Sequence, residues 1–278
     1  MIANEWAHQE RLLVQKKIEK FEQEKRWNED VEKDPPAPVL MPEMVDYLNE
    51  EISSKIARWF SFRGAEKYLM NILREKKLII KDVIGLEHLK YLDSGAIITS
   101  NHFNPMDTFA VQYATCAAGI KKEKLYRVIR EGNYTNFPGF FGRIMRHCNT
   151  LPLSSNADTM KMFVRAVDAV LKDGNLIVVY PEQAMWWNYK KPRPFQDGAF
   201  KFAVKNDVPV IPMFITMQDS DILGEDGFFV QEYTIHIFPP IRKDERKSNR
   251  QNIEDMKNKN FELVKNCYER AYNTKYNI

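Results

Sequence analysis

An α/β fold, a mainly parallel sheet flanked by helices with an N-terminal helical extension, is what three features of the 278-residue sequence predict. After Lys76, short apolar runs alternate with stretches of helical spacing, as strand–helix repetition requires. Some of those runs, Leu176-Ile177-Val178-Val179-Tyr180 above all, are apolar at consecutive positions, which suits strands covered by helices on both faces. Before Lys76 the pattern is helical, broken at Asp34-Pro35-Pro36-Ala37-Pro38. Adjacent prolines remove amide donors and hold the preceding residues extended, so this is a linker or a sharp elbow.

Three segments are expected: an N-terminal helical region over 1–75 with the proline break at 34–38, an α/β domain over 76–245, and a C-terminal helix over 246–278 packed on that domain. From Asn4 to about Asp30 there is no Gly or Pro, and Leu12, Leu13, Ile18 and Phe21 are loosely spaced for a highly charged surface helix. A second helical region runs over 43–75. Its Val45, Leu48, Ile52, Ile56 and Trp59 form one stripe at steps of three or four, interrupted later by Gly64. Such a stripe reads first as core packing. Trp59 and Phe60 beside Arg58 and Arg63 supply the second reading, contact with a membrane surface. Strands are expected at 78–84, 96–100, 125–130, 150–153, 176–180, 210–215 and 233–238, and helices at 105–118, 137–146, 158–172, 198–206 and 249–275.

Composition narrows the function. With 44% hydrophobic and 28% charged residues the chain has material for a real core. Its net charge of +3 is too mild for a general nucleic-acid binder, but the charge is partitioned. Residues 1–34 carry a net −2, residues 121–205 a net +8, and residues 206–241 have no Lys or Arg. A basic middle without a nucleic-acid motif points to an anionic ligand, an acidic partner or a charged lipid surface. Three cysteines without a CxxC pair exclude a zinc knuckle and a disulfide scaffold, and fit a reducing compartment. No run of about 18 apolar residues exists, and the N-terminus lacks a basic start and apolar segment. A cytoplasmic protein, soluble or peripheral on the membrane, is expected.

The chemistry is expected at Ser100-Asn101-His102-Phe103-Asn104-Pro105-Met106-Asp107. A strand runs into a polar turn, Pro105 fits the first helical position, Asn104 the N-cap and Asp107 the third position. On a continuous helix, residues 102 and 107 would lie about 140° apart. The intervening turn lets His102 fold back and present one ring nitrogen to Asp107, leaving the other for a substrate. A carboxylate so placed fixes the tautomer and stabilises the imidazolium of a general base. Plain capping by Asn and Asp gives the same spacing. Ser100 lacks a GxSxG context, which discounts a serine hydrolase, and five scattered histidines give no metal motif.

Asn101-His102-x-x-x-x-Asp107 resembles the first block of the glycerolipid acyltransferases, the lysophosphatidic acid acyltransferase-like (PlsC-type) superfamily. Three further stretches resemble later blocks in family order. They are Phe137-Pro138-Gly139-Phe140-Phe141-Gly142-Arg143 leading to Leu151-Pro152-Leu153, Val178-Val179-Tyr180-Pro181-Glu182 with Pro194-Phe195-Gln196-Asp197-Gly198, and Val208-Pro209-Val210-Ile211-Pro212. The similarity spans roughly residues 78–240.

The resemblance implies transfer of a fatty acyl group from a thioester or acyl phosphate donor to a hydroxyl of a lysophospholipid or related polar lipid. His102 would be the general base and Asp107 its orienting carboxylate. Asn101 would brace the turn, and Glu182 would serve acceptor binding or site architecture. Around them, Gln183, Lys190, Lys191, Arg193 and above all Arg143 are the candidate substrate contacts. The glycines of the second block would permit close approach to substrate. Acyl-CoA or acyl-acyl carrier protein would be the donor, with no bound cofactor and no metal, and the partners a lipid acceptor and the membrane surface. Family members that take a phosphate-bearing acceptor usually carry Phe-Pro-Glu-Gly-Thr-Arg. Here Tyr180-Pro181-Glu182-Gln183-Ala184-Met185 puts Met185 at the arginine, and Ser154 and Ser155 follow Leu153 where another arginine is common. A thioether cannot replace a bidentate phosphate clamp, so an acceptor with a larger or differently placed polar group is favoured. The segment Trp186-Trp187-Asn188-Tyr189-Lys190-Lys191-Pro192-Arg193 could contact such a group, sit in the membrane interface, or simply pack. A catalytically weak lipid-binding or scaffold protein and an acyl-thioester hydrolase are the competing readings.

Overall fold

The computed structural model describes residues 4–32 and 34–277; the first three residues, where a leader would begin, lie outside the described residues. The chain runs α1 (Glu5–Gln23), α2 (Ile52–Arg74), β1 (Ile79–Ile84), α3 (Glu87–Lys90), β2 (Ala96–Thr99), α4 (Asp107–Ala117), β3 (Leu125–Ile129), α5 (Glu131–Thr135) and α6 (Gly139–His147). It continues through β4 (Thr150–Pro152), α7 (Ala157–Lys172), β5 (Leu176–Val179), α8 (Gly198–Lys205), β6 (Val210–Leu223), β7 (Phe229–Ile237) and α9 (Asn249–Tyr272).

The strands form one sheet in the order β1-β7-β6-β2-β5-β3-β4. All neighbours are parallel except β6 and β7. That hairpin is the main difference from the expected strands, since β6 continues to Leu223 and turns directly into β7. Antiparallel strands need no crossover, and a turn closed by Gly224 N–H on Phe228 C=O (2.8 Å) suffices.

Alternation along the strands splits the core between two faces. Ile97 and Ile177 point to the side packed by Phe163 and Val167 of α7 and Phe200 of α8. Ala96, Ile98 and Val178 point to the opposite side, under Ala110 and Val111 of α4 and Ile72 of α2. β2 is buried throughout. A capping box starts α9, with Ser248 N–H donating to Gln251 Oε1 (3.0 Å) and Gln251 N–H to Ser248 Oγ (3.3 Å). From α9, Asn260 Nδ2 donates to Thr99 Oγ1 (2.6 Å) in the interior, fixing the end of β2 from which the site hangs.

Two helical expectations change. In α1, Val14 joins Ile18 and Phe21 in the interior while Leu13 faces solvent. The helix expected over 43–75 begins only at Ile52, and its stripe splits: Val45, ahead of the helix, is buried, whereas in α2 Ile52 is 77% and Trp59 53% exposed and Ile56 between them is also exposed. The helix buries Ser61, Phe62 and Ile72 instead. Gly64 decides this orientation in part, because a Cβ there would stand 3.1 Å from Phe140 Cε2 of α6.

Candidate active site

The site is built where β2 leaves the sheet. Asn101 is buried, and its amide bonds the backbone of β6 both ways, accepting from Ile215 N–H (2.8 Å) and donating to Ile215 C=O (3.0 Å). The side chain thus prolongs the β2–β6 pairing one step past the strand. Asn104 makes the next turn. Its Oδ1 accepts from Met106 N–H (2.8 Å), its backbone oxygen accepts from Asp107 N–H (3.1 Å), and its Nδ2 donates to Tyr233 Oη (2.8 Å). This turn uses the residues expected to open the helix, so α4 starts at Asp107 rather than Pro105, with Met106 as its N-cap. Asp107 is the first helical residue, not the third.

That placement points the Asp107 carboxylate back at the turn. Oδ2 accepts from His102 Nδ1 (2.7 Å), Phe103 N–H (3.0 Å) and Asn104 N–H (3.4 Å), and Oδ1 accepts from Tyr180 Oη (2.8 Å). Asp107 is fully buried, whereas the His102 side chain keeps 25% of its surface exposed. His102 Nε2 makes no hydrogen bond among the described residues. The ring lies on Tyr180, with centroids 4.1 Å apart and planes 19° apart. Burial, then the neighbouring Asp107, raises the Tyr180 hydroxyl well above its usual range, so it remains a donor.

Sequence reasoning missed the support behind Tyr180. Arg127 of β3 donates from Nε to Thr108 Oγ1 (2.9 Å) and from Nη2 to Gln112 Oε1 (2.5 Å), and Thr108 also meets the Tyr180 hydroxyl. Burial lowers the Arg127 pKa, and no carboxylate pairs with it among the described residues. The available signal was a cation, Arg127, in the middle of the strand expected at 125–130.

The expected substrate contacts are largely turned inward. Glu182 (3% exposed) and Arg193 (1%) form an interior pair at 2.8 Å. Glu182 Oε2 also accepts from His102 N–H (3.3 Å), and Arg193 Nη2 donates to His102 C=O (3.4 Å) and to Ala184 C=O. The pair therefore grips the His102 peptide from both ends. Arg193 further donates to Trp27 C=O (3.1 Å) and lies 4.7 Å from the Trp186 ring centroid. Lys191 bonds Glu22 of α1 and Asn277 C=O (3.2 Å), and Lys190 lies over the Tyr272 ring. Gln183 is exposed with φ +66°, and its carbonyl accepts from Arg130 (3.4 Å). Arg143 is exposed on α6, without a hydrogen bond or ion pair among the described residues.

The 186–193 segment is accordingly a packed loop. Trp186 and Trp187 are buried under Val14, Ile18, Phe21, Trp27 and Val31, and Trp186 Nε1 donates to Glu29 C=O (2.9 Å). The acidic N-terminal region supplies the carboxylate partner of one of the loop's cations, Glu22 to Lys191. It also covers Arg130, which bonds Asp30 (2.6 Å) and Asp34 (3.1 Å). In the second block, Gly142 lies against the chain itself, since a Cβ there would fall 1.9 Å from Phe137 O. Ser100 is buried. Burial pushes the thiols of Cys148 up to about 12 and Cys267 up to about 11, which leaves neither as a ready nucleophile.

Residues 81–216 match the family model described as Acyltransferase, a stretch that contains His102, Asp107, Glu182 and Arg193. Among solved structures, the 1-acyl-sn-glycerophosphate (LPA) acyltransferase PlsC from Thermotoga maritima is similar over 76% of this chain and 88% of its own, at 21% identity and a TM-score of 0.46. No curated protein matches the chain.

Proposed function

We propose that the protein moves a fatty acyl group from a thioester or acyl phosphate donor to a hydroxyl of a lysophospholipid or related polar lipid, with His102 as general base oriented by Asp107. The observation that carries this reading is the 2.7 Å contact between His102 Nδ1 and a buried carboxylate, with the other ring nitrogen unengaged. The carboxylate accepts, so Nδ1 carries the proton and Nε2 the lone pair. Nε2 takes the acceptor's hydroxyl proton as the oxygen attacks the acyl carbonyl. The tetrahedral intermediate then expels the carrier thiolate (or phosphate), which recovers the proton from the imidazolium. Asp107 stabilises the imidazolium between the two steps. Acyl-CoA or acyl-acyl carrier protein is the donor in the thioester case.

For the acceptor, the cations near the site favour an uncharged or unusually placed head group. Arg130, Lys191 and Arg193 are each paired to a carboxylate of the chain, and Met185 stands at the motif's arginine. Arg143 is the remaining candidate for an anionic contact. The exposed row Ile52, Ile56, Trp59 and Phe60 supports peripheral contact with a membrane surface from which a lipid acceptor enters. No helix among the described residues is long and apolar enough to cross a membrane.

The test is to incubate purified protein with labelled acyl-CoA or acyl-acyl carrier protein and a total lipid extract, with His102→Ala as control. One acylated lipid class should appear with the wild type and fall roughly 10²–10⁴-fold in the variant. Equal product with His102→Ala would reject the base. Release of free fatty acid alone would favour the hydrolase, and no turnover with any donor the scaffold.

A further inference from the structure

Flanking the exposed row of α2 is a cavity of about 420 Å³ between that helix and the Lys122–Lys124 turn. Its wall presents Lys55, Arg58, Arg63 and Lys122 with the rings of Trp59 and Phe62. The volume falls in the range of about 300–1,000 Å³ usual for small-ligand sites. Among the described residues of the wall only Glu66 and Glu123 oppose the four cations, and Glu66 is held by Lys122 (2.6 Å). Arg58 is positioned by neutral acceptors, Asn149 Oδ1 (2.7 Å) and Glu123 C=O (3.2 Å). Arg63 lies over the Trp59 ring at 4.4 Å, and Lys55 has no ion pair among the described residues.

We propose that this cavity seats the phosphate head group of an anionic phospholipid while the neighbouring apolar row enters the bilayer. Helical geometry places the two features side by side. At 100° per residue, Ile52, Ile56, Trp59, Phe60 and Met70 form one outward row, and Lys55, Arg58 and Phe62 face the adjacent sector. Trp59 belongs to both. A lipid answers both sectors at once, since its phosphate meets the cations at the depth where tryptophan prefers to lie. A soluble phosphate would leave the apolar row in water. The proposal rests on the membrane-contact reading and is independent of the transfer chemistry.

The test is vesicle flotation, comparing phosphatidylcholine vesicles with vesicles in which about a third of the lipid is phosphatidylglycerol. The wild type should partition about tenfold or more better onto the anionic vesicles, and salt should weaken that preference. Lys55→Glu with Arg63→Glu should abolish the preference without lowering Tm, because both side chains are exposed. The milder Lys55→Gln with Arg63→Gln should reduce it. His102→Ala should bind anionic vesicles as the wild type does, so failed transfer and failed lipid binding register separately. Equal partition onto both vesicles, or a retained preference in the Glu variant, overturns the proposal. So does displacement by inorganic phosphate beyond that caused by sodium chloride at equal ionic strength.

Discussion

The corner around His102 and the outer face of α2 use polar and apolar groups in opposite ways. At the corner, Asn101, Asn104, Asp107, Glu182 and Arg193 are buried, and each bonds a backbone group that fixes the turn. On α2, large apolar side chains face outward beside cations with few partners. The first region is determined by the chain alone and has the rigidity that proton transfer demands. The second is left uncovered by other described residues. Its conformation follows from packing on the other side of the helix, at Phe62, Gly64 and Ile72.

The largest effect should come from breaking the interior pair. Glu182→Gln leaves Arg193 charged and buried, and should cost about 3–5 kcal/mol. Tm measured by circular dichroism should fall on the order of 10 °C. A Tm within a degree or two of wild type would mean that the pair does not hold the corner together. Next comes Tyr180→Phe, which keeps the ring on His102 but removes the hydroxyl from Asp107. Acyl transfer should slow by about tenfold, a barrier change of about 1.4 kcal/mol, with KM little changed. A rise in KM at unchanged kcat would assign Tyr180 to binding instead.

The α2 face should respond in the reverse sense. Ile56→Ser with Trp59→Ser removes exposed surface, so stability should move by less than about 0.5 kcal/mol while partition onto vesicles drops. A large loss of Tm would show that this face packs on protein. The smallest effect concerns His236, where burial lowers the pKa from 6.5 and Thr216 Oγ1 lies 3.1 Å away. The unfolded chain binds the proton first, so acidification below 6.5 favours unfolding until the folded ring also titrates. His236→Gln should flatten the fall of Tm between roughly pH 7 and pH 5. An unchanged slope would remove His236 from the acid response.

How far these regions could be read from sequence follows from their physics. Consecutive apolar residues located β2 and β5, because that signal is local. The meeting of His102 with Asp107 was legible for the same reason: five positions and one turn separate them. The Glu182–Arg193 pair was not, because it depends on the Trp-rich loop folding under α1, more than 150 residues earlier in the chain. The facing of α2 was ambiguous because residues 52, 56 and 59 and residues 61, 62 and 72 both fit helical spacing, and tertiary contacts such as Gly64 against Phe140 separate them. Arg127 gave no motif, since its partners Thr108 and Gln112 are uncharged.

The central claim is that the imidazole and its carboxylate act as one unit, and a double-mutant cycle on transfer rate tests it most directly. His102→Ala and Asp107→Asn should each slow transfer roughly 10²–10⁴-fold. The double variant should be no slower than His102→Ala alone, because the carboxylate has nothing left to orient. Multiplying losses, or near-normal transfer in His102→Ala, would contradict the account.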